Sequence, residues 1–136
     1  MEVALFLADV AQIADGKLNL LGAGWTFVGP GPAGMAVAGV LDIEGTDLMP
    51  QSLTLTLVDE DGNDLQIVTP QGHLTVIKVE GSVHPDPGAF ETQPYVSVPL
   101  AFNFALLELP AGRTLAWKLA VGDNVWLRRF FTRPSY

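Results

Sequence analysis

Residues 3–28 read VALFLADVAQIADGKLNLLGAGWTFV, two apolar runs on either side of Asp15-Gly16. An Asp-Gly pair tolerates the positive φ angles of a tight hairpin turn, so this is a strong local signal for two antiparallel strands. Alternation puts Val3, Leu5 and Leu7 on one face of the first run and Phe6 and Val10 on the other. Both faces are apolar, as in a strand buried between layers. A helix over Leu5 to Ala14, capped by Gly16, is the rival reading. The strand-like run from Leu18 to Val28 favours the hairpin, expected to open the main sheet. Gly22 and Gly24 then mark a bulge that aims Trp25 at the sheet edge.

The pattern continues outward from there. In Gly29-Pro30-Gly31-Pro32 the prolines donate no backbone hydrogen bond and the glycines are permissive, which ends the run and predicts a loop crossing between sheets. Met35 to Ile43 is the next strand, and Gly45 to Pro50 a polar connection. In Ser52 to Val58, Leu53, Leu55 and Leu57 face in while Thr54 and Thr56 face out. Asp59 to Asn63 turns the chain, and Leu65 to Val68 returns. After the Thr69 to Gly72 turn, His73 to Val79 is another strand. Glu80 to Pro94 carries Gly81, Pro85, Pro87, Gly88 and Pro94, and predicts a long irregular loop. Tyr95 to Leu107 has Val96, Val98, Leu100, Phe102 and Phe104 at period two, with Pro99 arguing for an edge strand or a bulge there. Thr114 to Val121 and Val125 to Phe131 form a closing hairpin about Gly122-Asp123. The sum is one all-β domain over residues 1–136. It is expected to be an immunoglobulin-like antiparallel β-sandwich of about eight or nine strands.

Composition narrows the function classes. The 136 residues carry a net charge of −8, which disfavours a duplex nucleic-acid binder. Fifteen acids all lie at or before Asp123, whereas three of the seven basic residues (Arg128, Arg129 and Arg133) follow it. A short basic tail beside an acidic body can reach a neighbouring subunit. Apolar residues are 49% and charged ones only 16%, which suggests surface hidden in an assembly. There is no cysteine, hence no disulfide or thiolate chemistry. Met1-Glu2-Val3 lacks a basic signal-peptide start, and no apolar run reaches the ~20 residues of a membrane helix. No nucleic acid and no membrane are therefore expected as partners, and the location expected is the cytoplasm, or a virion if the gene is a phage's.

Motifs for chemistry fail on spacing. Asp59 to Asp64 places its glycine and its twelfth residue wrongly for a calcium loop. His73 and His84 lack metal-ligand spacing. No serine sits in a nucleophile elbow. No metal, no cofactor and no catalytic residue is expected, and the chain is read as not an enzyme. The aromatics are more informative. Trp117 shares its face with aliphatic residues and reads as core. In the last strand Trp126, Arg128 and Phe130 share one face, and Arg129 and Phe131 lie on the other with Val125 and Leu127. These five residues (Trp126, Arg128, Phe130, Arg129 and Phe131) are the candidate interface, divided between core and contact. His84, Phe90 and Tyr95 are the candidate loop contacts.

Leu5 to Asp9, Ala11-Gln12, Asp15 to Asn19 and Leu21 to Trp25 together resemble the LFLADxAQxxDGKLNxLGAGW start of an uncharacterised family of small actinobacterial and actinobacteriophage proteins. The resemblance implies a bacterial or phage origin and a β-sandwich, and transfers no site residue. The functional expectation is a protein–protein contact module, self-assembling as a homo-oligomer or binding a protein partner. The alternatives are a virion accessory protein, such as a capsid or tail decoration, and a small-molecule or sugar binding module.

Overall fold

The computed structural model describes residues 1–29, 32–45 and 49–134. Twelve strands are present among them: β1 (Glu2–Ala8), β2 (Val10–Ala14), β3 (Lys17–Leu21), β4 (Phe27–Val28), β5 (Pro32–Glu44), β6 (Gln51–Val58), β7 (Gln66–Val68), β8 (Leu74–Val76), β9 (Lys78–Val83), β10 (Tyr95–Glu108), β11 (Thr114–Val121) and β12 (Asn124–Thr132). The count exceeds eight or nine because two short ribbons, β2–β3 and β7–β8, stand apart from the main sheets.

Two sheets carry the core. One has the order β1-β5-β10, the other β4-β12-β11-β6-β9. Their facing sides interdigitate through Leu7, Met35, Val37, Leu41 and Ile43 from the first and Leu53, Leu55, Leu57, Leu115, Trp117 and Leu119 from the second. Trp117 sits at the centre, with no exposed surface. Its ring stacks on Phe104 at 4.7 Å between centroids, and its Nε1–H donates to the Met35 sulfur at 3.4 Å. A buried indole needs a partner for that N–H, and the soft sulfur serves. All main-sheet pairings are antiparallel except β4, which runs parallel to β12.

The opening hairpin differs from the sequence expectation. The Asp15-Gly16 turn forms, with φ of 52° and 70°. Yet it joins β2 to β3, not the first main-sheet strand to the second. Asp9 interrupts the apolar run, and β1 pairs with the distant β5, Leu7 facing Val37 in register. The β2–β3 ribbon then folds over the outer side of the first sheet. There Ala8, Ala11, Ala36 and Ala38 form a second small core with Leu18, Leu20 and Ala101. Alanine lets the ribbon approach closely, so β5 is buried on both faces over Met35–Ala38, whereas β1 is covered on its outer face only at Ala8 and leaves Phe6 exposed, contrary to a strand buried between layers. Asn103 fixes the ribbon. Its Oδ1 accepts from the Ala11 N–H at 3.0 Å and its Nδ2 donates to the Ala11 carbonyl at 2.8 Å.

Other departures are local. Gly22 and Gly24 have positive φ but lie beyond β3 rather than in a strand bulge. The return after the Asp59 turn is brief: Val58 bridges Asp64 and the Leu65 N–H donates to the Leu57 carbonyl of β6, whereas Gln66–Val68 pairs with β8. His73 to Val79 is broken at Ile77, whose carbonyl accepts from the Leu57 N–H. Thr56 is buried although it faces outward. Lys78 and Lys118 flank it in register, and their aliphatic stems are long enough to cover it. The region from Glu80 to Pro94 is not one irregular loop. β9 runs on to Val83, and Pro87–Glu91 forms a 3-10 turn capped by the Asp86 carboxylate. Pro99 does sit in an edge strand, but the irregularity of β10 falls between Phe104 and Leu107. Pro30, Gly31 and residues 46–48 of the expected connections lie outside the described residues.

Candidate functional site

β12 carries the main candidate. Pairing with β11 places Leu115 beside Phe130 and Leu119 beside Trp126, so the even-numbered residues of β12 face the core. Phe130 is 2% exposed and belongs to the core. Trp25 meets it edge-on at 6.4 Å. Trp126 is half-buried against the same cluster. Arg128 also points inward, and its Nε is buried without a hydrogen-bond partner. Trp126 and Arg128 line a dent of about 190 Å³ with Val3, Leu5 and Leu127, at the mouth where β1 overlies β12.

The odd-numbered residues face outward. Val125 (56% exposed), Leu127 (57%) and Phe131 (43%) line up with Phe27 (49%) of β4 in one apolar strip. Arg129 is exposed within it, and the Arg133 guanidinium lies 4.3 Å from the centre of the Phe27 ring. Of the five candidate interface residues, therefore, Arg129 and Phe131 are on the outer surface, Trp126 and Arg128 are at the mouth, and Phe130 is inside. Phe27, Val125 and Leu127 complete the strip. The period-two pattern already placed Val125 and Leu127 with Phe131, whereas Phe27 joins only through the parallel pairing of β4.

The backbone of β12 is also informative. Phe131 N–H donates to Thr26 and Thr132 N–H to Arg113. Alternation therefore turns the peptide groups of Val125, Leu127 and Arg129 toward the β4 side. β4 meets this edge at Phe131 and Thr132, with the Arg133 N–H on the Val28 carbonyl beyond them, so among the described residues no strand pairs with it from Val125 to Arg129.

His84, Phe90 and Tyr95 are not brought together. His84 is exposed and its Nε2 lies 2.7 Å from the Ser82 hydroxyl. Both line an open groove of about 370 Å³ between the edges of β9 and β10, walled by Leu53, Val83, Val98 and Phe102. Phe90 is half-buried and packs on the core. Tyr95 is exposed at the start of β10, in a separate dent of about 490 Å³ with Glu2, Asp42 and Glu44. Among the described residues the Ser82–His84 contact has no third side chain bonded to the imidazole. Nucleophile and base need a third group to orient the base, and the neighbouring Asp86 carboxylate is engaged with the Gly88 N–H. Among the described residues no cluster of His, Asp and Glu has the arrangement to hold a metal.

The acidic turn after β6 is structural. The Asp59 carboxylate accepts from the N–H groups of Asp61 and Asn63 at 2.9 and 3.0 Å. Glu60 makes a two-point ion pair with Arg113, with contacts of 2.6 and 3.2 Å. That hydrogen-bonded pairing lowers the Glu60 pKa and raises that of Arg113.

The profile of a family of unknown function, DUF6941, matches residues 3–132. The chain belongs to that family. The match runs from β1 to the end of β12, so the DUF6941 unit comprises both main sheets and both ribbons. No curated protein matches the chain, and no solved structure does.

Proposed function

We propose that this DUF6941 chain is a non-enzymatic β-sandwich that works by protein–protein contact and assembles with itself. The observation that carries the reading is the outward strip of Phe27, Val125, Leu127 and Phe131, each between 43% and 57% exposed. Four large apolar side chains on one sheet face are what an interface core requires, and arginine is the charged residue most at home among them. Light scattering across a concentration series tests it. A mass that rises above that of one chain is expected, and a monomer throughout, with no partner recovered from the host, removes it.

A capsid or tail decoration is the more specific form of the same proposal. It rests on the resemblance of the opening motif alone, and the position of the gene among or away from structural virion genes decides it. A second reading, binding of a small molecule or sugar, is favoured by the groove between β9 and β10, apolar with Ser82 and His84 at its wall. Thermal-shift screening against sugars and nucleotides tests that reading, and a flat response across the panel removes it.

A further inference from the structure

We infer that the unpaired edge of β12 is a strand-pairing site, and that its occupant is β12 of a second copy, antiparallel, with the two-fold axis between the two Trp126 residues. The inference rests on the self-assembly reading and specifies its surface and register. Three observations carry it.

First, the edge is open where it matters. Val125 and Leu127 direct their N–H and C=O groups away from β11, and β4 stops at Phe131 and Thr132. Unpaired edges of this kind are templates for another strand. The other long edge strand, β10, is interrupted by Pro99, whose missing donor blunts pairing. β12 has no proline from Asn124 to Thr132.

Second, the register follows from charge. With Trp126 opposite the partner's Trp126, Val125 lies opposite the partner's Leu127 and exchanges two hydrogen bonds with it. Arg128 lies opposite the partner's Asn124, and Arg129 opposite the partner's Asp123. The two-fold axis repeats each pair. Every arginine thus meets an acceptor, and none meets an arginine. A register centred one residue later puts Arg128 diagonal to the partner's Arg128, and the next puts the two directly opposite, where like charges destabilise. Those later registers also carry the partner strand towards the slot that β4 occupies.

Third, Arg128 keeps a polar atom without a partner among the described residues. It faces inward and its Nε is buried and unsatisfied. A buried donor without an acceptor is costly. The partner's Asn124 side-chain carbonyl supplies one, and the partner's Trp126, diagonal to Arg128, supplies an aromatic face. The pairing joins two five-stranded sheets across the axis and makes one apolar face of the two strips.

The test uses sedimentation equilibrium of the full chain from about 1 µM to about 1 mM. Leu127→Pro removes an edge donor but no hydrogen bond to β11, because the Leu127 peptide faces outward along the edge. It is expected to raise the dimer dissociation constant at least about tenfold. Asp123→Arg and Arg129→Asp should each weaken the dimer by about tenfold, and the two together in one chain should restore it, because the axis pairs the positions reciprocally. That recovery keeps the test valid if Leu127→Pro fails to fold. A dimer that ignores Leu127→Pro and both charge reversals overturns the β12 edge and leaves self-assembly through another surface. A wild-type chain that is monomeric up to the highest concentration overturns both readings.

Discussion

Asn103 shows how much one side chain can organise. It projects from the outer face of β10 and presents an amide to the backbone of Ala11, matching one donor and one acceptor as a neighbouring strand would. Asn103→Ala leaves the Ala11 N–H and carbonyl without those partners. We expect a loss of about 1–2 kcal/mol in urea unfolding, with faster hydrogen exchange at the Ala11 amide than at β11 amides. Glu60 offers a residue-scale test by pH. Its folded pKa is lowered by the Arg113 hydrogen bonds. The contribution is therefore present above the ordinary glutamate range and is lost as pH falls through the lowered folded value. Stability should decline in acid with a component that disappears in Glu60→Gln, measured by thermal melts from neutral pH downward. Both partners are well exposed, so this component is small. Neither pairing is written in local sequence, since Asn103 acts on a residue 92 positions away and Arg113 on one 53 positions away.

The elements themselves were far more legible. Period-two alternation located the main strands, because a pleated strand presents alternate side chains to opposite faces. The Asp15-Gly16 turn was equally clear, since its φ angles suit few residue pairs. Gly16→Ala meets no steric neighbour, so its cost is conformational alone. We expect a loss of about 1–2 kcal/mol, confined to the β2–β3 ribbon in hydrogen exchange. Trp117→Ala should be much worse, about 3–5 kcal/mol, because it empties the centre of the core and strands the Phe104 ring and the Met35 sulfur. Denaturant unfolding checks it. What alternation does not give is partnership. The run from Val3 to Val10 looks like one strand, but Asp9 divides it, and the two pieces join different sheets. One face of the run meets the core, whereas on the other only Ala8 is buried under the ribbon and Phe6 and Val10 are exposed, a difference only the fold makes.

At the scale of the molecule, the sandwich leaves its mouth beside β1 and β12 open and an apolar strip on the second sheet uncovered. If the chains associate through this region, folding and association are linked. The melting temperature should rise with protein concentration in the wild-type chain and much less in Leu127→Pro. Differential scanning calorimetry over a hundredfold range of about 10 µM to about 1 mM measures this directly. The candidate site was partly visible beforehand. A last strand apolar on both faces, carrying Arg128 and Arg129, singled out β12. The division of that strand was not visible, because Phe130 and Phe131 have the same chemistry and only the packing of β12 against Trp25 and β4 sends one inside and one outside. The loop residues fared differently. His84 and Tyr95 stand at separate surfaces because the segment with the 3-10 turn intervenes between them.

Sequence alone determined that the chain is all-β, where its main strands lie, and that its last strand is unusual. These follow from local rules, the pleat and the turn, which act over a few residues. The tertiary structure decided which strands are neighbours, which apolar face is core, and which edge is free. Those depend on pairings between residues far apart in the chain, Leu7 with Val37 and Phe131 with Phe27 among them. Chain entropy opposes each such contact, and only the burial of the whole core offsets it.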